Sequence, residues 1–331
     1  MAHKLQKHAR RAALAVLCVV FFLLCGCGKA PAEPTALTLP VSTTTEPTID
    51  PNLVEYQGKF YLPREDIQTI LIMGLDKFEH ETTTIGYTNH LQSDFMMLVI
   101  VDEANKVLDV LHLNRDTMTE IRRLGVGGSA AGTFTGQLAL AHTFGSGGSD
   151  SCLNAVKAVS NLLGGIQIDH YMTLTMDAVA KINDAVGGVT ITLEEDFTEF
   201  DPAMEKGKEI TLRGEQALYY VRQRMTIGDG LNSSRMKRQE HYLTAFYTKL
   251  MEKNREDDNF LGKVLFSVNN SFVSDLTVNQ LDRLAELMAE CELNPFRSLQ
   301  GQTVRGEEFY EFYVDEASLK DTVMDLFYVE Q

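Results

Sequence analysis

Cations concentrate between Tyr219 and Glu240, where Arg222, Arg224, Arg235, Lys237 and Arg238 flank the turn Gly228-Asp229-Gly230. Gly214 to Val221 reads as a helix ending near Arg222, and Asn232 to Ser234 supply N-cap residues for a second helix running to about Lys253. First helical turns favour Asp and Glu because the macrodipole is positive there, yet this one carries Arg235, Lys237 and Arg238. Arg235 and Arg238, three residues apart, share a helix face, while Arg222 and Arg224 arrive from the preceding helix end. Free helix N–H groups and guanidinium forks converging on one point suit phosphate, and a diphosphate in particular. The competing reading is a solvated basic surface, salt-bridged to nearby acids.

Three carboxylates, Asp76, Asp94 and Asp116, lie at or beside strand boundaries, where side chains from different strands meet. Singly, each is an ordinary turn or capping aspartate. Beside an arginine cluster they suit a hard cation such as Mg²⁺ (or Mn²⁺), held by one or two carboxylates together with diphosphate oxygens.

The elements that must position these residues alternate along the chain. Ile67 to Met73, Phe95 to Val101 and Lys106 to Leu113 read as strands, the last two joined by the short polar turn Asp102 to Lys106 and therefore an antiparallel hairpin. Helical periodicity appears at Gln137 to Thr143, Ser151 to Leu163, Asp177 to Val186 and Val278 to Cys291, with strands at Ile168 to Thr175, Val189 to Leu193 and Phe309 to Val314. The expected fold is α/β, a mixed central sheet covered by helices on both faces. Gly125 to Gly136, rich in Gly, Ser and Thr, reads as a mobile loop beside the sheet ends.

At 331 residues with 44% apolar content the chain can bury a sizeable core. Residues 1–26 read as a lipoprotein signal peptide: Lys4, Lys7, Arg10 and Arg11 precede the apolar run Ala12 to Leu24, and Leu24-Cys25-Gly26-Cys27 resembles a lipobox. Cleavage before Cys27 and its diacylation would anchor the chain; an uncleaved membrane helix is the alternative, though the run is short against the ~20 residues such a helix needs. Residues 27–55 are Pro-, Thr- and Ala-rich and read as a disordered tether, leaving 56–331 as the folded domain. Without residues 1–26, 26 Lys and Arg face 46 Asp and Glu, a balance of −20, so nucleic acid is not an expected partner. Cys152 and Cys291 either pair or stand as independent buried thiols.

The series Ile-Leu-Ile-Met-Gly-Leu-Asp (70–76), Ser-Asp-Phe-Met-Met-Leu-Val (93–99), Asn-Arg-Asp-Thr (114–117), Leu-Leu-Gly-Gly-Ile-Gln-Ile-Asp-His-Tyr (162–171), Asp-Ala-Val-Gly-Gly-Val (184–189), Leu-Arg-Gly-Glu-Gln-Ala-Leu-Tyr-Tyr-Val-Arg-Gln-Arg (212–224) and Ser-Arg-Met-Lys-Arg-Gln (234–239) resembles the LytR-CpsA-Psr family across roughly residues 66 to 329. The resemblance implies transfer of a glycopolymer from a polyprenyl diphosphate carrier to peptidoglycan, at the extracellular face of the bacterial cytoplasmic membrane. It implies that Arg115, Arg222, Arg224, Arg235 and Arg238 grip the diphosphate, that Asp76 and Asp94 hold Mg²⁺, that an aspartate such as Asp94 activates the acceptor hydroxyl, and that apolar strand and helix faces enclose the lipid tail. Two departures remove cations: Gln92 stands where the family often has Arg, and Gln137 where it has Lys. Each charge-assisted phosphate contact is worth roughly 1.5–3 kcal/mol. A non-catalytic polyprenyl-phosphate-binding or envelope-regulatory lipoprotein is therefore the second reading, and a transcriptional regulator a third that the acidic balance disfavours.

Overall fold

A computed structural model describes residues 50–75, 92–124, 129–257 and 259–331. Cys27, nearly all of the tether and Asp76 lie outside the described residues. In chain order the first half contains strands β1 (Val54–Tyr56), β2 (Lys59–Pro63), β3 (Ile67–Leu75), β4 (Ser93–Asp102), β5 (Val107–His112), β6 (Met118–Leu124) and β7 (Ala130–Gln137). Helices α1 (Leu140–Thr143) and α2 (Gly148–Leu162) follow, then β8 (His170–Thr175), α3 (Met176–Ala185), β9 (Val189–Thr192) and β10 (Glu209–Leu212). The second half contains α4 (Glu215–Arg222), α5 (Asn232–Glu256), α6 (Phe260–Ser267), β11 (Phe272–Ser274), α7 (Val278–Glu290), β12 (Glu292–Leu293) and β13 (Arg297–Ser298). It closes with β14 (Gly301–Arg305), β15 (Tyr310–Val314), α8 (Glu316–Phe327) and β16 (Tyr328–Glu330).

The main sheet runs β11-β8-β3-β4-β5-β12, with β13 also on β5. It is mixed: β3 pairs parallel with β8 and antiparallel with β4, and β4 and β5 form the expected antiparallel hairpin. Alternation sorts its side chains to two faces. Leu71, Met73, Met96, Leu98 and Leu111 meet Cys152, Ala155 and Val159 of α2 and Leu326 of α8 on one face. On the other, Ile70, Val99, Val101, Leu108 and Val110 meet Tyr247 of α5 and Leu284 and Met288 of α7. Each fully buried aliphatic side chain contributes about 1.5–3 kcal/mol, so both helical layers are held by the sheet. Helices thus cover both faces, as expected.

Four local expectations change. The Gly/Ser/Thr-rich segment is strand β7 from Ala130 onward, paired with β6 in a register that sets Phe134 against Ile121; residues 125–128 lie outside the described residues. The helix expected from Gln137 shrinks to α1, because the Leu138 and Ala139 N–H groups donate to the Thr117 and Arg115 carbonyls, and the Ala139 carbonyl accepts from Ser93. Strand β9 pairs with β10 in a separate hairpin rather than joining the main sheet. Sheet pairing begins at Val54, two residues before the expected domain start. The two thiols, Cys152 and Cys291, are free and buried in different clusters. No described helix is long and apolar enough to cross a membrane.

Candidate active site

β4 begins and β5 ends at the same end of the sheet, which brings Asp94 close to the turn Asn114-Arg115-Asp116-Thr117. That turn closes on itself: Asn114 Oδ1 accepts from the Asp116 N–H at 3.0 Å and its carbonyl accepts from Thr117 N–H at 3.0 Å. Asn232, the first residue of α5, donates from Nδ2 to Asn114 Oδ1 at 2.7 Å. Its side chain therefore docks the helix onto the turn instead of capping it, and α5 has neither a capping side-chain bond nor an acid in its first turn. The Gly228-Asp229-Gly230 turn leads in, with positive φ at both glycines. At Gly228 the φ of +61° favours glycine, and an added Cβ would also displace the Glu195 carboxylate that pairs with Arg238.

Three guanidinium groups share two carboxylates at this point. Arg115 ion-pairs through Nη1 with Asp94, donates from Nη2 to Gln92 Oε1 at 2.6 Å, and sets Nε 3.5 Å from Asp116 Oδ1. Arg224 donates from Nη1 to Asp116 Oδ2 at 3.2 Å and from Nε to the Gly230 carbonyl at 3.1 Å. Arg235, 5% exposed, donates to the Asp94 carbonyl at 3.1 Å and to Asn232 Oδ1 at 2.7 Å, with Nη1 3.9 Å from Asp94 Oδ1. Burial first, and then the neighbouring Arg115 and Arg224 charges, push the Arg235 guanidinium down to about 9. A buried excess of positive charge beside a helix start without a side-chain cap is an arrangement that suits an anion. A solvated basic surface does not have this burial.

Arg238 has a different task from the one expected of it. Only 3% exposed, it pairs with Glu195, donates to the Tyr220 carbonyl at 3.3 Å and to the Gln223 carbonyl, and lies 5.6 Å from the Phe197 ring centroid. Gln239 Nε2 donates to the Val221 carbonyl at 2.9 Å. Helix ends leave their last carbonyls without partners, and these two side chains satisfy the end of α4. They thereby hold the segment that presents Arg222 and Arg224. Arg222 itself, the last residue of α4, is exposed.

The two positions that depart from the family pattern are built into the same network. Gln92 orients Arg115, as above, and Gln137 Nε2 donates to Asp116 Oδ1 at 3.2 Å and to the Tyr310 carbonyl at 2.7 Å. Tyr310, like Glu195 and Gln239, was invisible to sequence reasoning as a site residue, because its link to Arg224 crosses 86 positions and carries no motif.

Below the cluster an apolar cavity of about 300 Å³ opens between the sheet and helices α3, α5 and α7. Phe95, Val221 and Gln239 line it, each the immediate chain neighbour of Asp94, Arg222 or Arg238, and Phe246, Leu284 and Met288 line it further in. Guanidinium groups and an apolar slot on neighbouring residues form an arrangement that suits a molecule with a phosphate head and a hydrocarbon tail. Hard-oxygen donors for a cation at the head are the Asp94 carboxylate and the neighbouring Ser93 hydroxyl, whose buried Oγ has no hydrogen-bond partner among the described residues. No group of three His, Cys, Asp or Glu suited to a metal occurs among the described residues, so phosphate oxygens would have to complete the shell.

The LytR_cpsA_psr family model matches residues 41–325. Biofilm regulatory protein A of Streptococcus mutans is 32% identical over 203 residues, 59% of this chain and 47% of that protein, so the chain spans about half its length. Polyisoprenyl-teichoic acid–peptidoglycan teichoic acid transferase TagU of Halalkalibacterium halodurans is 28% identical over 230 residues, 70% of this chain and 67% of that protein. Among solved structures, protein gbs0355 of Streptococcus agalactiae superposes with a TM-score of 0.65 at 20% identity, covering 79% of this chain and 86% of that one. TagV of B. subtilis gives 0.58 at 23% identity, covering 80% and 96%.

Proposed function

The chain belongs to the LytR_cpsA_psr family, and from that footing we propose that it transfers a glycopolymer from a polyprenyl diphosphate carrier to peptidoglycan. The observation that carries this reading is the guanidinium excess of Arg115 and Arg235 around Asp94, whose chain neighbour Phe95 lines an apolar cavity. A diphosphate fits the first and a prenyl chain the second. The name of the TagU relative describes a reaction of this kind.

In the proposed reaction an acceptor hydroxyl attacks the sugar-bearing phosphorus, a new O–P bond forms, and the bond to the bridging oxygen breaks, releasing polyprenyl phosphate. Asp94 takes the hydroxyl proton. Arg115, Arg224 and Arg235, with Arg222 at the rim, stabilise the charge that collects on the leaving phosphate, which is the main task in phosphoryl transfer. Mg²⁺ (or Mn²⁺), held by Asp94 and Asp76 with phosphate oxygens, would add Lewis-acid neutralisation of the same charge. We place the chain at the extracellular face of the cytoplasmic membrane, anchored through Cys27.

The test is release of polyprenyl phosphate from a short lipid-diphosphate saccharide incubated with the chain, Mg²⁺ and peptidoglycan fragments, with Asp94→Ala as control. Sugar appearing on the acceptor supports transfer. Tight lipid binding without release supports the second reading, a polyprenyl-phosphate-binding lipoprotein, which the neutral side chains at Gln92 and Gln137 favour.

A further inference from the structure

Strands β14 and β15 reach the site from the far end of the chain. The Phe312 N–H donates to the Asp116 carbonyl at 2.8 Å, Thr117 and Phe312 form a parallel bridge, and Gln137 holds the Tyr310 carbonyl. The Tyr310 ring then meets two guanidinium groups, Arg224 at 5.8 Å from its centroid and Arg305 at 4.8 Å. Both lie within the ~6 Å over which a ring attracts a cation; Asp116 balances Arg224, whereas no carboxylate pairs with Arg305 among the described residues.

Arg305 is exposed and makes no ion pair among the described residues; the nearby Glu311 carboxylate accepts from the Tyr313 hydroxyl at 2.7 Å. Neither Arg305 nor Tyr310 lines the apolar cavity, whereas Val221, Gln239 and Phe95 do. Arg305 thus approaches Arg224 across the Tyr310 ring without bordering the apolar cavity.

We propose that Arg305 is a further diphosphate-binding residue, presented on the Tyr310 ring beside Arg224 and contacting the sugar-bearing phosphate. It supplies from the C-terminal hairpin a cation that position 137 lacks. This rests on the diphosphate reading above.

The experiment is calorimetric titration of the full chain in detergent with farnesyl diphosphate and with farnesyl monophosphate, which carries only the lipid-side phosphate. Arg305→Ala should weaken the diphosphate about tenfold and leave the monophosphate unchanged. Tyr310→Leu should give the same loss, and the double variant no more than either alone, because the ring acts through Arg305. Gln137→Lys should restore much of the affinity lost in Arg305→Ala. Arg235→Gln serves as control and should weaken both ligands. Undiminished diphosphate affinity in Arg305→Ala, with the control weakened, would overturn the role of Arg305 alone. Additive losses in the double variant would overturn its presentation by Tyr310. Failure of the unaltered chain to bind either ligand would overturn the diphosphate reading and this inference with it.

Discussion

Two buried arginines three residues apart in α5, Arg235 and Arg238, are used for opposite ends. Arg238 has a carboxylate partner and two carbonyls, so removing it leaves Glu195 and the end of α4 without their donors. Arg238→Met should lower unfolding free energy by about 3 kcal/mol in chemical denaturation. Arg235 sits among like charges, and Arg235→Met should leave stability within about 1 kcal/mol of the unaltered chain while abolishing measurable diphosphate binding; equal destabilisation by the two changes would contradict this division of labour. The pH dependence of binding has a definite sign. Burial first, then Arg115 and Arg224, depress Arg235 to about 9, so in the proposed role its charge is fully present below that pH and declines above it. Diphosphate affinity should therefore be level between about pH 6 and 8 and fall on raising the pH through about 9, with each pH unit beyond costing up to roughly tenfold. A level profile to pH 10 would show that the Arg235 guanidinium is not depressed by its burial, and Arg235→Gln would then be the test of its contact with the ligand. The sequence made the arginines legible through their spacing and their conflict with the helix dipole. It concealed which would be spent on carbonyls, since that depends on where α4 stops relative to α5.

At the level of elements, the cavity is walled by pieces of unequal firmness. The sheet face is buried, whereas α7 has no buried residue; it is held by the Thr277–Gln280 capping box at its start and by the Tyr247 hydroxyl, which donates to the Met288 and Cys291 carbonyls, at its end. Half-packed apolar residues against a cavity gain burial when the cavity fills. Hydrogen exchange in α7 should slow on adding a prenyl diphosphate and stay unchanged with inorganic pyrophosphate; slowing by both would place the effect at the arginines. Filling the slot by Val99→Phe should raise KM for long prenyl chains and leave short-chain substrates nearly unaffected, which a chain-length series of donors would measure. The β4–β5 hairpin and the long helices were readable because their apolar periods are strong. Strand β7 was not, since Ala130 to Gly136 has only Phe134 to mark a face and owes its extended form to pairing with β6. The start of α5 was readable at Asn232, but its capping was not, because the Asn232 side chain turns to Asn114, 118 positions away.

For the whole molecule, a net charge of −16 confines anion binding to places where geometry overrides the average field. The arginine cluster, framed by the sheet edge, α4, α5 and the C-terminal hairpin, is such a place. If Cys27 carries the proposed lipid anchor, Cys27→Ser should move the chain from the membrane fraction to the medium without changing transfer on short soluble donors. Persistence in the membrane fraction would favour an uncleaved helix. Order and spacing of motifs made the family legible in the sequence, whereas the apolar cavity needed the fold, because its walls come from Ile70 at one end and Phe296 at the other. The most direct test of the account is a crystal structure of the chain with farnesyl diphosphate. Phosphate oxygens should lie within hydrogen-bonding distance of Arg115, Arg224 and Arg235 and the farnesyl chain between Phe95 and Met288; a diphosphate bound elsewhere, or a cavity left without the prenyl chain, would contradict the proposed function.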